Sequence, residues 1–178
     1  MRKLRHQARV GDYNLLADNY ETPQNALEMI LRNVPREKII WDPFYCDGRI
    51  KEFFSHLGYA CIHERRDFFE YEPFLYELIV TNPPYSIKEQ VLKRLLALGR
   101  PFAVLMPLST IATSYFYELM RAQDYQMVVS RQRFNFLRHN DEPKTKNKVC
   151  TFPTVWITMG MSAYLGANQI VHRETNIY

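Results

Sequence analysis

The segment of this chain most committed to chemistry is Asn82-Pro83-Pro84-Tyr85, which follows the apolar run Leu78-Ile79-Val80 and Thr81. Two successive prolines set the backbone and remove two N–H donors, so carbonyl oxygens are left as acceptors. Asn82 adds a side-chain carbonyl and Tyr85 a flat aromatic face. A planar amino group needs this combination. Its lone pair is delocalised into the ring, which makes it a poor nucleophile. The Asn82 side-chain oxygen and the Pro83 backbone oxygen could hold its two hydrogens and favour a more tetrahedral nitrogen. Tyr85 could stack on the ring, worth roughly 1–3 kcal/mol per base. A nitrogen so held could attack a sulfonium methyl in line, by positioning and electrostatics and without a strong base.

Acidic residues recur upstream. Asp42-Pro43-Phe44-Tyr45-Cys46-Asp47-Gly48 follows an apolar run, and an acid at a strand tip before a turn and a helix suits a polar cofactor. Gly48 allows close backbone approach. Glu64 lies 22 residues after Asp42 (64 − 42), near the spacing at which Rossmann-like sheets place an acceptor for ribose hydroxyls. Asp67 could accept from an adenine amine while Phe68 covers the ring. Each also has an ordinary reading: Glu64 as a surface acid, Asp67 as a turn residue beside core phenylalanines.

These residues must be carried by something. Thr22, as cap, and Pro23 in the first turn open a helix with Ala26, Leu27, Ile30 and Leu31 on one face. Strands are predicted over 38–42, 59–63, 77–81, 102–106, 126–130 and 154–159, and helices over 50–57, 87–98 and 114–122. Alternating strands and helices imply an α/β fold: a mostly parallel sheet covered on both faces, with ligands at the carboxyl ends of the strands. The last two strands have no evident helix between them, which predicts an antiparallel hairpin at one edge.

Composition sets the bounds. The chain has 178 residues, 47% hydrophobic and 14% aromatic, enough for one domain with a sizeable core. No apolar run reaches the roughly 18 residues of a membrane span. Met1-Arg2-Lys3-Leu4-Arg5-His6 leads into no apolar stretch, so a secretory signal is not expected. Cys46, Cys61 and Cys150 form no CxxC pair, so neither a metal site nor a disulfide framework is indicated, and an intracellular location, cytoplasmic or nuclear, is the expectation. The net charge of +4 is concentrated in Arg2, Lys3, Arg5 and Arg9, and again in Arg131, Arg133, Arg138, Lys144, Lys146 and Lys148. The later cluster surrounds Phe134 and Phe136, as a loop that tracks a phosphate backbone and stacks bases would.

Together these motifs resemble the N6-adenine nucleic-acid methyltransferases, whose signature is Asn/Asp-Pro-Pro-Tyr/Phe, here Asn82-Pro83-Pro84-Tyr85. The family's Asp-Pro-Phe cofactor loop is matched by Asp42-Pro43-Phe44 with Gly48. Its ribose acid falls on Glu64 and its Asp-Phe pair on Asp67-Phe68. Its Thr-Pro helix over the methionine end of the cofactor resembles Tyr20-Glu21-Thr22-Pro23. The match covers about residues 20 to 107 in order. The resemblance implies a Rossmann-like class I methyltransferase with a seven-stranded sheet. It implies S-adenosyl-L-methionine as cofactor, no metal, and the N6 amine of adenine as acceptor, DNA placed ahead of RNA. Phe134 would close the far side of the base pocket, with Arg131 and Arg133 on the nucleic acid. The expected organisation is a basic segment 1–19 and one catalytic domain over 20–178.

Two departures stand out. Cys46 occupies a place where the family's loop usually has glycine, and no room is left for a target-recognition domain, which a separate subunit could supply. Three other readings share the motif: a protein glutamine methyltransferase, an rRNA guanine amino-methyltransferase, and an inactive methyltransferase-like binding subunit.

Overall fold

Side chains along the central strands alternate between two apolar layers. On β4 (Phe102–Pro107), Phe102, Val104 and Met106 join one layer, while Ala103 and Leu105 join the other. The same alternation splits Ile40 from Trp41 on β1 (Ile40–Trp41), and Leu78 and Val80 from Ile79 on β3 (Leu78–Thr81). A strand buried on both faces reads as a continuous apolar run, as a parallel sheet covered by helices requires. Helix α1 (Gln24–Leu31) covers the first face with Ala26, Leu27 and Ile30, joined by Phe54 of α2 (Ile50–His56). The second face is covered by Val91, Leu92 and Leu95 of α3 (Lys88–Leu98) and by Phe116 and Met120 of α4 (Ser114–Met120).

The computed structural model describes residues 21–46, 48–136 and 152–173. The basic segment 1–19, Tyr20, Asp47, Arg138, Lys144, Lys146, Lys148 and Cys150 lie outside the described residues. The sheet has seven strands, as expected. They include β2 (Cys61–Ile62), β5 (Tyr125–Ser130), β6 (Thr154–Met159) and β7 (Ile170–Arg173), in the order β2-β1-β3-β4-β6-β5-β7. Strands β2, β1, β3 and β4 run parallel, β6 is antiparallel to β4 and β5, and β7 is parallel to β5. The architecture is Rossmann-like. The antiparallel hairpin is present but lies one strand in from the edge, because β7 returns past α5 (Ser162–Leu165) to pair with β5.

Local chemistry accounts for the boundaries. Gly99 ends α3 in the left-handed conformation at φ 63°, and Thr113 caps α4 by accepting from the Phe116 N–H at 3.4 Å. Thr22, expected as the cap of α1, is not: Pro23 holds the cap position, and its carbonyl accepts from Ala26 and Leu27. Between β2 and β3 no helix forms. An aromatic loop covers the sheet instead, with Phe68 and Tyr76 packed 5.6 and 5.0 Å from the Trp41 ring. Because the first four strands are parallel, the chain leaves each at the same end, bringing residues 42, 63, 82 and 108 to one rim.

Candidate active site

The rim is organised around a buried carboxylate. Asp42, 2% exposed, accepts from the Thr81 hydroxyl at 2.6 Å and from the Phe44 N–H at 3.4 Å, both on Oδ1. Its Oδ2 faces His63 Nδ1 at 3.6 Å. Burial holds the Asp42 carboxyl above the ordinary carboxylate range, and the His63 ring, Thr81 and Phe44 offset this only in part. Thr81 ends β3 and Asp42 follows β1, so their bond ties two neighbouring strand tips. His63 follows β2, and its ring nitrogens lie 3.0 Å from the carbonyl oxygens of Asp42 and Tyr45.

The loop after β1 is strained at one residue. Cys46 has φ 48° and Gly48 φ 86°. A residue with a side chain in that region costs about 1–2 kcal/mol, so the backbone at 46 takes the conformation a glycine would supply. The Cys46 anomaly of the sequence is thus a replacement of side chain without a change of backbone path. A Cβ on Gly48 would come within 2.7 Å of the Tyr45 hydroxyl. Tyr45 lies across the glycine and stacks on His63, ring centroids 5.0 Å apart at 15°.

A cleft opens beside this loop, with about 370 Å³ of empty space counting the part open to solvent, and is lined by Glu21, Thr22, Asp42, Phe44, Tyr45, Cys46 and Asn82. Arg49, Ile50 and Phe53 complete its wall, and Arg49 pairs with Glu21, joining the start of α2 to the start of α1. Four predicted residues from three sequence-distant motifs therefore meet: Thr22, Asp42, Phe44 and Asn82. Pro23 and Pro43 flank them in the chain.

The Asn82 loop is held differently. Pro83 and Pro84 are buried, and Tyr85 begins a 3-10 turn, Tyr85–Ile87. The Tyr85 hydroxyl donates to Asn82 Oδ1 at 2.9 Å, and its ring meets Phe152 edge-on at 5.8 Å. The acceptor read from the sequence is therefore engaged by its own neighbour, and an incoming amine would have to replace that hydroxyl as donor.

Other predicted residues fall elsewhere. Glu64 is exposed and bonded to the Tyr71 hydroxyl, and does not line the cleft. Asp67 accepts from the Phe69 N–H at 2.8 Å in a tight turn, the ordinary reading given above. Phe68 is buried between Trp41 and Phe44, so it supports the loop from beneath instead of covering a ligand. Phe134 is 2% exposed and packs edge-on to Phe136 in the α1-side core. This corrects its assignment to the base pocket: the ring facing Tyr85 belongs to Phe152, whose position before β6 carried no local signal. Arg131 and Arg133 are exposed just past β5, at the same end of the sheet as Asn82. His63 and Thr81 were missed as functional because each reads locally as part of an apolar strand.

Among the described residues no cluster of three or more His, Cys, Asp or Glu could hold a metal, and no helix is long and apolar enough to cross a membrane. No family model matches the chain, and no curated protein does. Among solved structures, similarity extends to a dimethyladenosine transferase from Plasmodium falciparum, at 10% identity and TM-score 0.47 over 78% of this chain and 62% of that one. It extends also to an Agrobacterium tumefaciens chain described as a predicted O-methyltransferase, at 9% identity and TM-score 0.45 over 88% and 87%.

Proposed function

We propose that this chain is an S-adenosylmethionine-dependent methyltransferase acting on the N6 amine of adenine in nucleic acid. The observation that carries the reading is that Asn82, leading the Pro-Pro-Tyr loop, lines the same cleft as Asp42 and Thr22. An acceptor for an amine and a loop suited to a cofactor thus share one space.

The residues present fit the cofactor. The left-handed turn at 46 and 48 provides the close backbone approach that an amino-acid and ribose moiety needs, with the Tyr45 side chain lying over Gly48. Thr22 and Asp42 offer polar contacts beside the apolar Phe44, Ile50 and Phe53, and Asn82 is left for the acceptor. When bound, S-adenosylmethionine supplies the electrophilic methyl. Asn82 Oδ1 and the Pro83 carbonyl accept the two hydrogens of the amine, and Tyr85 gives up its bond to Asn82 and turns its face to the base. Arg131 and Arg133 meet phosphates at the rim. In a duplex the adenine would have to be extruded first.

Labelled methyl transfer to separate DNA, RNA and protein pools, followed by nucleoside and amino-acid analysis, tests this. Label on N6-methyladenine is expected; label on glutamine or guanine would replace the substrate assignment. Thermal unfolding with cofactor is the simpler check. Binding at a hundredfold excess over Kd adds about 2.7 kcal/mol, several degrees for a chain of this size, and no shift at millimolar cofactor would reject the enzyme.

A further inference from the structure

His63 is buried at the end of β2, yet each of its ring nitrogens meets a main-chain carbonyl. Nδ1 lies 3.0 Å from the Asp42 oxygen and Nε2 3.0 Å from the Tyr45 oxygen. A carbonyl oxygen only accepts, and a neutral imidazole has a single N–H. Both contacts are hydrogen bonds only when both nitrogens carry a proton. A buried cation needs a counter-charge, and Asp42 Oδ2 stands 3.6 Å from Nδ1.

We infer that His63, as an imidazolium, is the positioning residue of the loop after β1, clamping residues 42–45 at two points for cofactor binding. What the loop binds rests on the methyltransferase reading; the clamp does not. The Tyr45 carbonyl accepts both from His63 and from the Gly48 N–H at 2.8 Å, so it is fixed on both sides of the strained Cys46. The Tyr45 ring stacked on His63 adds a face that favours a cation.

Among the described residues, the titratable and polar groups on the elements beside the ring are few. From β1 comes Asp42, and from β3 the uncharged Thr81, bonded to Asp42. From β2 comes Cys61, whose thiol burial pushes up, with the Asp42 charge adding to the effect, so it stays neutral. From α2 the Lys51 charge bears on Cys61, and from the loop comes the Tyr45 phenol. Glu64, next in the chain, is exposed and turned to Tyr71. Asp42 is therefore the anion that balances the ring. As pH falls, protonation of Asp42 strips the counter-charge, and cofactor affinity falls.

Nitrogen-15 NMR of the ring in the intact protein tests the clamp directly. Both nitrogens should be protonated in the folded protein, as two carbonyl acceptors require. The variant His63→Phe keeps a ring against Tyr45 but has no donor. It should lose about tenfold or more in cofactor affinity, while unfolding cooperatively. A bare ring nitrogen in the folded protein would overturn the proposal. So would His63→Phe with wild-type affinity. If that variant does not fold, the wild-type ring spectrum decides alone. A wild-type protein that binds no S-adenosylmethionine would reject the methyltransferase reading, while the ring spectrum would still decide the clamp.

Discussion

Two loops leave neighbouring parallel strands at the same rim and are held in opposite ways. The loop after β3 is rigid by covalent structure: Pro83 and Pro84 set its path, and the short bond from Tyr85 to Asn82 closes it locally. The loop after β1 has only Pro43 and is held from outside, by His63 of β2 and by the Thr81–Asp42 bond to β3. The first loop would keep its shape if its neighbours changed. The second depends on side chains 21 and 39 positions away along the chain, and it carries the strained Cys46.

The largest break in this comparison should come from Asp42→Asn. The side chain keeps its shape and still accepts from Thr81, but the buried His63 loses its counter-charge. Removing one partner of a buried pair costs about 3–5 kcal/mol. Urea unfolding should show that loss, and cofactor affinity should fall with it. A loss below about 1 kcal/mol would mean that the Asp42 carboxyl is already neutral and that the pair is not ionic.

The opposite loop should respond in rate and not in stability. Asn82→Ala removes the acceptor proposed for the amine and leaves the prolines in place. The turnover rate should fall by about 10²–10³, as when one preorganised hydrogen-bonding partner is deleted. Cofactor affinity should stay within about threefold, since the proposed role of Asn82 is to hold the amine. Isothermal titration alongside single-turnover kinetics separates the two. Loss of affinity equal to the loss of rate would place Asn82 among the cofactor contacts and erase the division of labour between the loops.

The contrast also explains what could be read beforehand. The prolines, the apolar runs of β3, β4 and β6, and Gly99 after α3 act within a few residues, so they are visible in the chain. Six of the seven strands and Asn82 with its prolines were legible for this reason. Strand β7 was not, because Ile170 and its neighbours lie half-exposed at an edge and gain their pairing from β5. Thr81, His63 and Phe152 matter through partners brought together by the sheet, and no local spacing marks them. Phe134 misled for the converse reason: aromatics amid basic residues read as a binding loop, yet burial in the core took the ring.

The smallest expected effect is the sharpest test of the loop after β1. Cys46 is exposed and holds φ 48°, so Cys46→Gly should relieve about 1–2 kcal/mol of backbone strain. Glycine also enlarges the unfolded ensemble, which takes back about 0.4–1 kcal/mol. A net gain of about 0.5–1 kcal/mol is expected in denaturant unfolding. Cofactor affinity should hardly change, because the His63 clamp sets the loop's path whichever residue stands at 46. In a His63→Phe background the same glycine should instead weaken binding further, since an unclamped loop with two glycines has more conformations to lose. Additive effects in the double variant would show that the strain and the clamp are independent. A destabilising Cys46→Gly would show that contacts of the thiol outweigh the backbone cost, and that strain is not what the clamp opposes.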